Sequence, residues 1–150
     1  MIAATVLRKA VDSLLMKNRG AEIVIMGDFN DNPPDKSIAQ VLKATKLPDL
    51  SSGNTLYNPT NNFNWRQGEG SEFYKGEWSR FIQIILSTSL VNDQLGSDGA
   101  FHDIHIFHPE WLLKNDDAYQ QMIPERTYEG EGKPVGFSDH LPVYINLQLN

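Results

Sequence analysis

The sequence predicts an α/β domain in which one mixed sheet is flanked by helices, and three stretches carry that expectation. Residues 3 to 17 place Ala3, Leu7, Ala10 and Leu14, with Val11 and Leu15, at three- and four-residue spacing, the pattern of an amphipathic helix. Ala21 to Met26 is an apolar run broken only by Glu22, as in a parallel-type strand buried on both faces. Leu141 to Leu149 alternates Val143, Ile145, Leu147 and Leu149 against Tyr144, Asn146 and Gln148, so a strand there buries one face. Helix, short turn, strand and acidic loop make half of an α/β layer. A chain of 150 residues is one domain by length, with enough apolar content for a core.

The remaining elements follow in order. Asn18-Arg19-Gly20 stops the first helix, with Gly20 expected in the left-handed conformation after the last turn. Asp31-Asn32-Pro33-Pro34-Asp35 is expected to be irregular, because two prolines withdraw donors and fix φ. A second helix is expected from Asp35 or Lys36 through Ile38, Val41 and Leu42 to about Lys46. Residues 51 to 70, rich in Ser, Asn, Gly and Pro, read as a long loop or short helical pieces. Phe73 to Lys75 and Phe81 to Leu86 read as antiparallel strands about Lys75-Gly76-Glu77. A polar, glycine-rich surface loop spans 92 to 100, and Ile104, Ile106 and Phe107 mark an edge strand. Pro109 to Leu113 suits a short helix opened by proline, and 116 to 135 reads as mostly irregular. The three strands 23–26, 81–86 and 143–147 are expected near the centre of the single sheet.

Composition narrows the function classes. The formal net charge is −6, so a strong sequence-independent grip on nucleic acid is not expected, since Lys and Arg supply most of that affinity. An acidic balance does suit a cation site. The chain has no cysteine, which removes disulfides, thiolate metal sites and cysteine nucleophiles together. No apolar run approaches the roughly 20 residues of a membrane span. Residues 1 to 16 are interrupted by Arg8, Lys9 and Asp12 and do not read as a signal peptide, and no compartment is assigned.

Two short polar segments sit at the ends of expected strands: Gly27-Asp28-Phe29-Asn30-Asp31 and Gly136-Phe137-Ser138-Asp139-His140. On extended backbone, Asp28 and Asn30 share a facing. With Asp139 and His140 they suit a divalent cation and a phosphoryl oxygen. Between them lie Gly70-Ser71-Glu72-Phe73-Tyr74-Lys75-Gly76-Glu77-Trp78 and Pro124-Glu125-Arg126-Thr127-Tyr128-Glu129-Gly130. Taken in this order, the four segments resemble the endonuclease/exonuclease/phosphatase family, which includes DNase I, abasic-site endonucleases and inositol-phosphate phosphatases. The third looks like that family's Gly-Thr-x-x-Tyr-x-Gly-x-Trp hairpin, and the fourth resembles a segment preceding Ser-Asp-His in one bacterial branch.

The resemblance implies a DNase I-like sandwich of which residues 1–150 form the C-terminal portion. It implies that Asp28 activates the attacking water or protonates the leaving oxygen, and that Asn30 positions the phosphate. Asp139 is implied as a metal residue, direct or through water, and His140 as the imidazole at the scissile phosphate. The implied cofactor is Mg2+, with Mn2+ as an alternative. Ser138 is expected to be a supporting hydrogen-bonding residue and no nucleophile. The chain departs from the family at Ile82, which stands in Arg80-Phe81-Ile82-Gln83-Ile84-Ile85 where the family has an aspartate that orients the imidazole. Gln83 is expected to face the other side of the strand. The family's N-terminal half, with a metal-binding glutamate, an asparagine near the metal and another histidine, has no counterpart before Gly20.

Other candidates compete with ordinary structural roles. Asp28 and Asn30 also suit a turn in which Asp bonds its own backbone. His102, His105 and His108 are suitable ligands, but residues three apart on a strand face opposite sides, so surface or edge positions are expected. Trp78 and Trp111 are expected in the core. Trp65 is the one aromatic offered as a substrate contact, and Arg126 is offered as a phosphate fork or a structural salt bridge.

The expectation is therefore part of a metal-dependent hydrolase acting on phosphodiesters or phosphomonoesters, inactive or nearly so as this chain alone. The alternative is a degenerate member serving as a binding module. The substrate is a phosphate ester, either a small molecule or a nucleic acid, with no membrane partner. An open apolar sheet face along 82–86 and 141–149 is expected to drive self-association, or to require the missing half.

Overall fold

The computed structural model describes residues 1–51, 55–64, 68, 70–97, 101–128, 132 and 134–148. The chain opens with α1 (Ile2–Lys17), which buries Arg8, Val11 and Leu15. The buried stripe thus runs along Leu7, Val11 and Leu15, while Leu14 is half exposed. Asn18 ends α1 in extended backbone, and its side chain accepts the Gly20 N–H. The helix therefore stops at an Asn turn and needs no left-handed glycine.

Strand β1 (Val24–Asp28) follows, then a six-residue π-helical turn (Ser37–Leu42) in place of the longer helix expected to reach Lys46. Lys43 turns left-handed at φ 60°, and the chain leaves directly into β2 (Ala44–Thr45). Strand β3 (Leu56–Tyr57) and a 3-10 turn (Pro59–Asn62) come next. Strands β4 (Glu72–Tyr74) and β5 (Glu77–Ser79) form a hairpin about Lys75 and Gly76, both with positive φ. The hairpin turn falls where the sequence puts it, but the partner of β4 is β5 and not the following strand, β6 (Ile82–Ser87).

Strand β6 is the axis of the fold. It pairs antiparallel with β1 on one side and with β3 on the other, and β2 adds parallel to β3, giving the order β1-β6-β3-β2. A short helix α2 (Thr88–Val91) caps it. Strand β7 (Ile104–Ile106) pairs antiparallel with β10 (Val143–Ile145), and β8 (Leu113–Asp116) pairs with β9 (Gln121–Pro124). The 3-10 turn Glu110–Leu112 supplies the short helical piece expected after Pro109.

The α/β class stands, but the single sheet does not. Among the described residues the strands divide among four sheets, and β10 joins β7 instead of the main sheet. The reason is packing. Ile85 faces α1 with Val11, Leu15, Ile38, Leu42, Ala44 and Leu56, whereas Ile84 and Leu86 face a second core with Tyr57, Val91, Phe101 and Ile104. Strands β7 and β10 lie over that second core as a separate layer, with Val143 and Ile145 packed against it. The expected open face along 82–86 is therefore covered from within the chain: Ile84, Ile85 and Leu86 are all buried. Within 116–135, Asp116 and residues 121–124 belong to a hairpin with the rest of β8, and the other described residues are turn or irregular, as expected.

Strand β1 differs from its sequence reading too. It is an edge strand, antiparallel to β6, and leaves Val24 45% and Met26 74% exposed. An apolar run alone does not reveal whether both faces find a cover. No helix among the described residues is long and apolar enough to cross a membrane.

Candidate active site

The end of β1 carries the first cluster. Gly27 has φ 152°, a conformation that side chains rarely adopt, and the ladder ends one residue later where Asp28 lies opposite Ile82. Asp28 Oδ1 then accepts the Asn30 N–H at 2.9 Å, and Asn30 is left-handed at φ 51°. Extended alternation stops at Asp28, so it does not align the two side chains. The turn does the orienting, and Asp28 serves as a turn residue as well as a site candidate.

The loop after Asp28 rests on buried polar groups. Gln83, fully buried, accepts from Asn58 Nδ2 at 2.6 Å and donates to the Asp31 carbonyl at 2.5 Å. Asn32 Oδ1 accepts the Arg80 N–H at 2.8 Å, and the Phe29 N–H reaches the Phe81 carbonyl at 2.9 Å. Ser37 donates to Asp31 at 2.5 Å. Gln83 does face away from Asp28, in keeping with strand alternation, and its work is to hold the loop's backbone. Arg80 is buried beside this loop, and burial pulls its guanidinium pKa down against the opposing charge of Asp35.

The second cluster is delivered by a different device. Segment 125–127 and segment 135–137 bond to each other: Val135 N–H to Thr127 O at 2.9 Å, Phe137 N–H to Glu125 O at 3.0 Å, and Thr127 Oγ1 to Phe137 O at 2.6 Å. Gly136 lies so close to the Glu125 backbone that a Cβ there would overlap it. Ser138 Oγ accepts the His140 N–H at 3.1 Å, a turn role in line with its expected support function. His140 bridges to Glu72 across an isolated antiparallel pairing. Ser71 joins the pieces: its carbonyl accepts the Leu141 N–H at 2.6 Å, and its hydroxyl accepts the Ile82 N–H at 3.1 Å.

These devices bring the two clusters to one rim. His140 Nε2 lies 3.7 Å from Asp28 Oδ2, with the histidine side chain 22% exposed and the aspartate 38%. Glu72, Asp139 and one ring nitrogen of His140 lie within 4.8 Å of one another, the one group of three such ligands found among the described residues. Arg126 stands beside both acids, Nη2 at 3.6 Å from Glu72 Oε1 and Nη1 at 3.8 Å from Asp139 Oδ2. It also donates to the Phe73 carbonyl at 3.4 Å and lies 5.6 Å over the Tyr74 ring. Arg126 thus stands in the ion-pair arrangement expected as one of its two roles.

The donor set fits a hard divalent cation: two carboxylates and an imidazole nitrogen, with the acids partly open to solvent. His140 Nδ1 is buried and has no hydrogen-bond partner. Ile82, opposite Asp28 in the ladder, offers no acceptor to it.

The other candidates are placed as follows in the fold. Asn30 is exposed, at the same turn as Asp28. Trp65 lies outside the described residues. His102, His105 and His108 border one cavity of about 510 Å3 with Phe63, Met122 and Leu141, and they belong to no ligand group among the described residues. His105 pairs with Asp103 at 2.7 Å and packs on Tyr144, which is an edge role. Hydrogen bonds from Asn146 first, and from His105, hold the Asp103 carboxyl below its ordinary range. Trp78 is partly buried against Phe73 and donates to Gln121 at 3.1 Å. Trp111, expected in the core, is 58% exposed and meets Phe107 and Phe137 edge-on.

Glu72 is the residue that the sequence reasoning passed over. It was visible only as one letter of the hairpin motif, and its place beside His140 depends on the bridge between two distant segments.

A family model described as Endonuclease/Exonuclease/phosphatase family matches residues 1–149. The chain belongs to this family. No curated protein and no solved structure matches it. The family's chemistry is generally hydrolysis of phosphate esters, generally with divalent metals, on small phosphate esters or nucleic acid. Membership agrees with the mixed α/β architecture of several sheets and few helices.

Proposed function

We propose that this chain is the C-terminal portion of a metal-dependent phosphoesterase, and that by itself it hydrolyses phosphate esters little or not at all. The observation that carries the reading is the meeting of Asp28 and His140 at 3.7 Å beside the Glu72–Asp139 pair. Asp28 would take a proton from the attacking water or give one to the leaving oxygen, and His140 Nε2 would face the scissile phosphate. Asn30, exposed at the same turn, would contact a phosphoryl oxygen. Asp139 and Glu72 would hold Mg2+ or Mn2+. When bound, such an ion supplies positive charge to a phosphoryl oxygen. The net charge of −6 favours small phosphate esters over nucleic acid as substrate.

A second reading, a binding module descended from an enzyme, is supported by the orphaned His140 Nδ1 and by Ile82. An imidazole without an acceptor for its second nitrogen is held in neither tautomer nor orientation, and both matter to proton transfer. The same proposal gives the exposed side of β1, with Val24 and Met26, as the place where an N-terminal half or a second copy adds. Light scattering at micromolar concentration tests that addition; a folded, strictly monomeric chain counts against the second copy.

Hydrolysis of bis(p-nitrophenyl) phosphate with Mg2+ or Mn2+ tests the activity. The chain is expected to stay near the background rate. Turnover comparable with complete enzymes, abolished by Asp28→Ala or His140→Ala, would show that the missing groups are dispensable. Turnover restored only when an N-terminal half is supplied would support the first reading over the second.

A further inference from the structure

Arg126 occupies an unusual position for a residue beside a cation site. Its two terminal nitrogens address Glu72 and Asp139, the two acids of the ligand trio. Both distances, 3.6 and 3.8 Å, exceed hydrogen-bond length, so the guanidinium offsets part of the acids' charge without occupying their lone pairs. It donates a hydrogen bond to the Phe73 carbonyl, at 3.4 Å. The Tyr74 ring, half exposed, lies 5.6 Å from the guanidinium carbon in the same arrangement, with Lys75 Nζ 5.0 Å from the ring centre, so the side chain touches the acids and the ring at once. The Arg126 backbone is fixed between Glu125 and Thr127, which bond to segment 135–137, so only the side chain is free to exchange partners.

Two like charges cannot share this space cheaply. A divalent ion between Glu72 and Asp139 would face the guanidinium across a few ångströms at the protein surface, where water screens only part of the repulsion. We propose that Arg126 is a built-in counter-cation that gates the Glu72–Asp139–His140 cluster: a divalent ion enters when the guanidinium moves off the acids. The proposal rests on the cation reading of the cluster. It makes cation affinity a property of Arg126 as much as of the ligands, and it offsets part of the acid pair's charge when no ion is bound.

Mn2+ binding, measured by calorimetry and by Mn2+ electron paramagnetic resonance, tests this without an activity readout. Arg126→Gln keeps a long polar stem and removes the charge. It is expected to bind Mn2+ about tenfold tighter than the unsubstituted chain. Adding Asp139→Asn to Arg126→Gln should remove that binding. Arg126→Lys retains a positive charge, so its affinity should stay near that of the unsubstituted chain, and it serves if the Gln variant does not fold. Unchanged or weaker binding in Arg126→Gln would overturn the gate, as would a tenfold gain in Arg126→Lys. In either case Mn2+ binding that Asp139→Asn still abolishes would leave the cation site standing. No Mn2+ binding in any folded variant would overturn the site and the gate together.

Discussion

The loop after β1 and the segment around Ser138 carry the two sides of the candidate site, yet they are held by different forces. The first is backed by neutral polar groups in the interior, Asn58 to Gln83 to the Asp31 carbonyl, with Asn32 tying down Arg80. Every link there is short, and Asn58 and Gln83 are wholly buried. The second is clamped by backbone contact at Gly136 and by the looser ion pairs of Arg126, near the surface. Its histidine has one nitrogen near Asp28 and the other buried without a partner. The difference teaches that one site can be held on one side by satisfied burial and on the other by backbone contact, with one imidazole nitrogen left without an acceptor. A buried hydrogen-bonded network fixes position at every pH, whereas an imidazole needs a partner on each nitrogen to be fixed in tautomer as well.

The largest effect is expected from the clamp. Gly136→Ala forces a methyl group into the Glu125 backbone, so the two segments must part. A loss of about 3 kcal/mol or more in urea unfolding is expected, by the strain that overpacked backbone imposes. A loss below about 1 kcal/mol would mean that the clamp yields and the second side is softer than described.

Next comes the buried network. Gln83→Leu removes both of its hydrogen bonds and leaves Asn58 Nδ2 and the Asp31 carbonyl unsatisfied. Destabilisation of about 2 kcal/mol is expected, the cost of orphaned buried polar groups. Thermal melts and amide exchange at residues 29–32 report it. An unaffected loop would erase the contrast between the two sides.

The third prediction concerns the missing acceptor. Ile82→Asp puts a carboxylate opposite Asp28, on the strand that Ser71 ties to the His140 segment. A rise of about tenfold in metal-dependent turnover of bis(p-nitrophenyl) phosphate is expected, a modest part of what an oriented acid–base group supplies. No rise in a folded variant, assayed with any N-terminal half present, would mean that His140 is limited by something other than its orphaned nitrogen.

The smallest effect tests an exposed ion pair against the buried network. Hydrogen bonding from Arg8 holds the Asp12 carboxyl below its ordinary range. That group therefore adds stability above the unfolded carboxylate pKa of about 3.9, and the contribution disappears as pH falls through the lower folded value. The Asp12 side chain is 48% exposed, so screening keeps the contribution small. Asp12→Asn is expected to cost less than about 1 kcal/mol at pH 7 and nothing at low pH. A larger cost would show that Arg8, which also donates to the Leu42 carbonyl at 3.1 Å, needs Asp12 to hold α1 on the π-helical turn.

What the sequence determined by itself was local in its physics. Helical spacing located α1 to within a residue, alternation over 141–149 contained β10 though the ladder takes only Val143–Ile145, and Lys75-Gly76 located the hairpin turn. The order of four short motifs pointed to the family whose model matches residues 1–149. Short-range rules suffice there, because each depends on a residue and its neighbours three or four positions away. The tertiary structure decided what depends on distant partners. It made β1 an exposed edge, gave β10 to β7, placed Trp111 outside the core and covered the face along Ile84 to Leu86. It put Glu72 beside Asp139 and His140, and set Arg126 between the acids. Periodicity states which residues want cover, but only the packing of separate segments states which ones receive it, and a charge's partner is a fact about space and not about spacing.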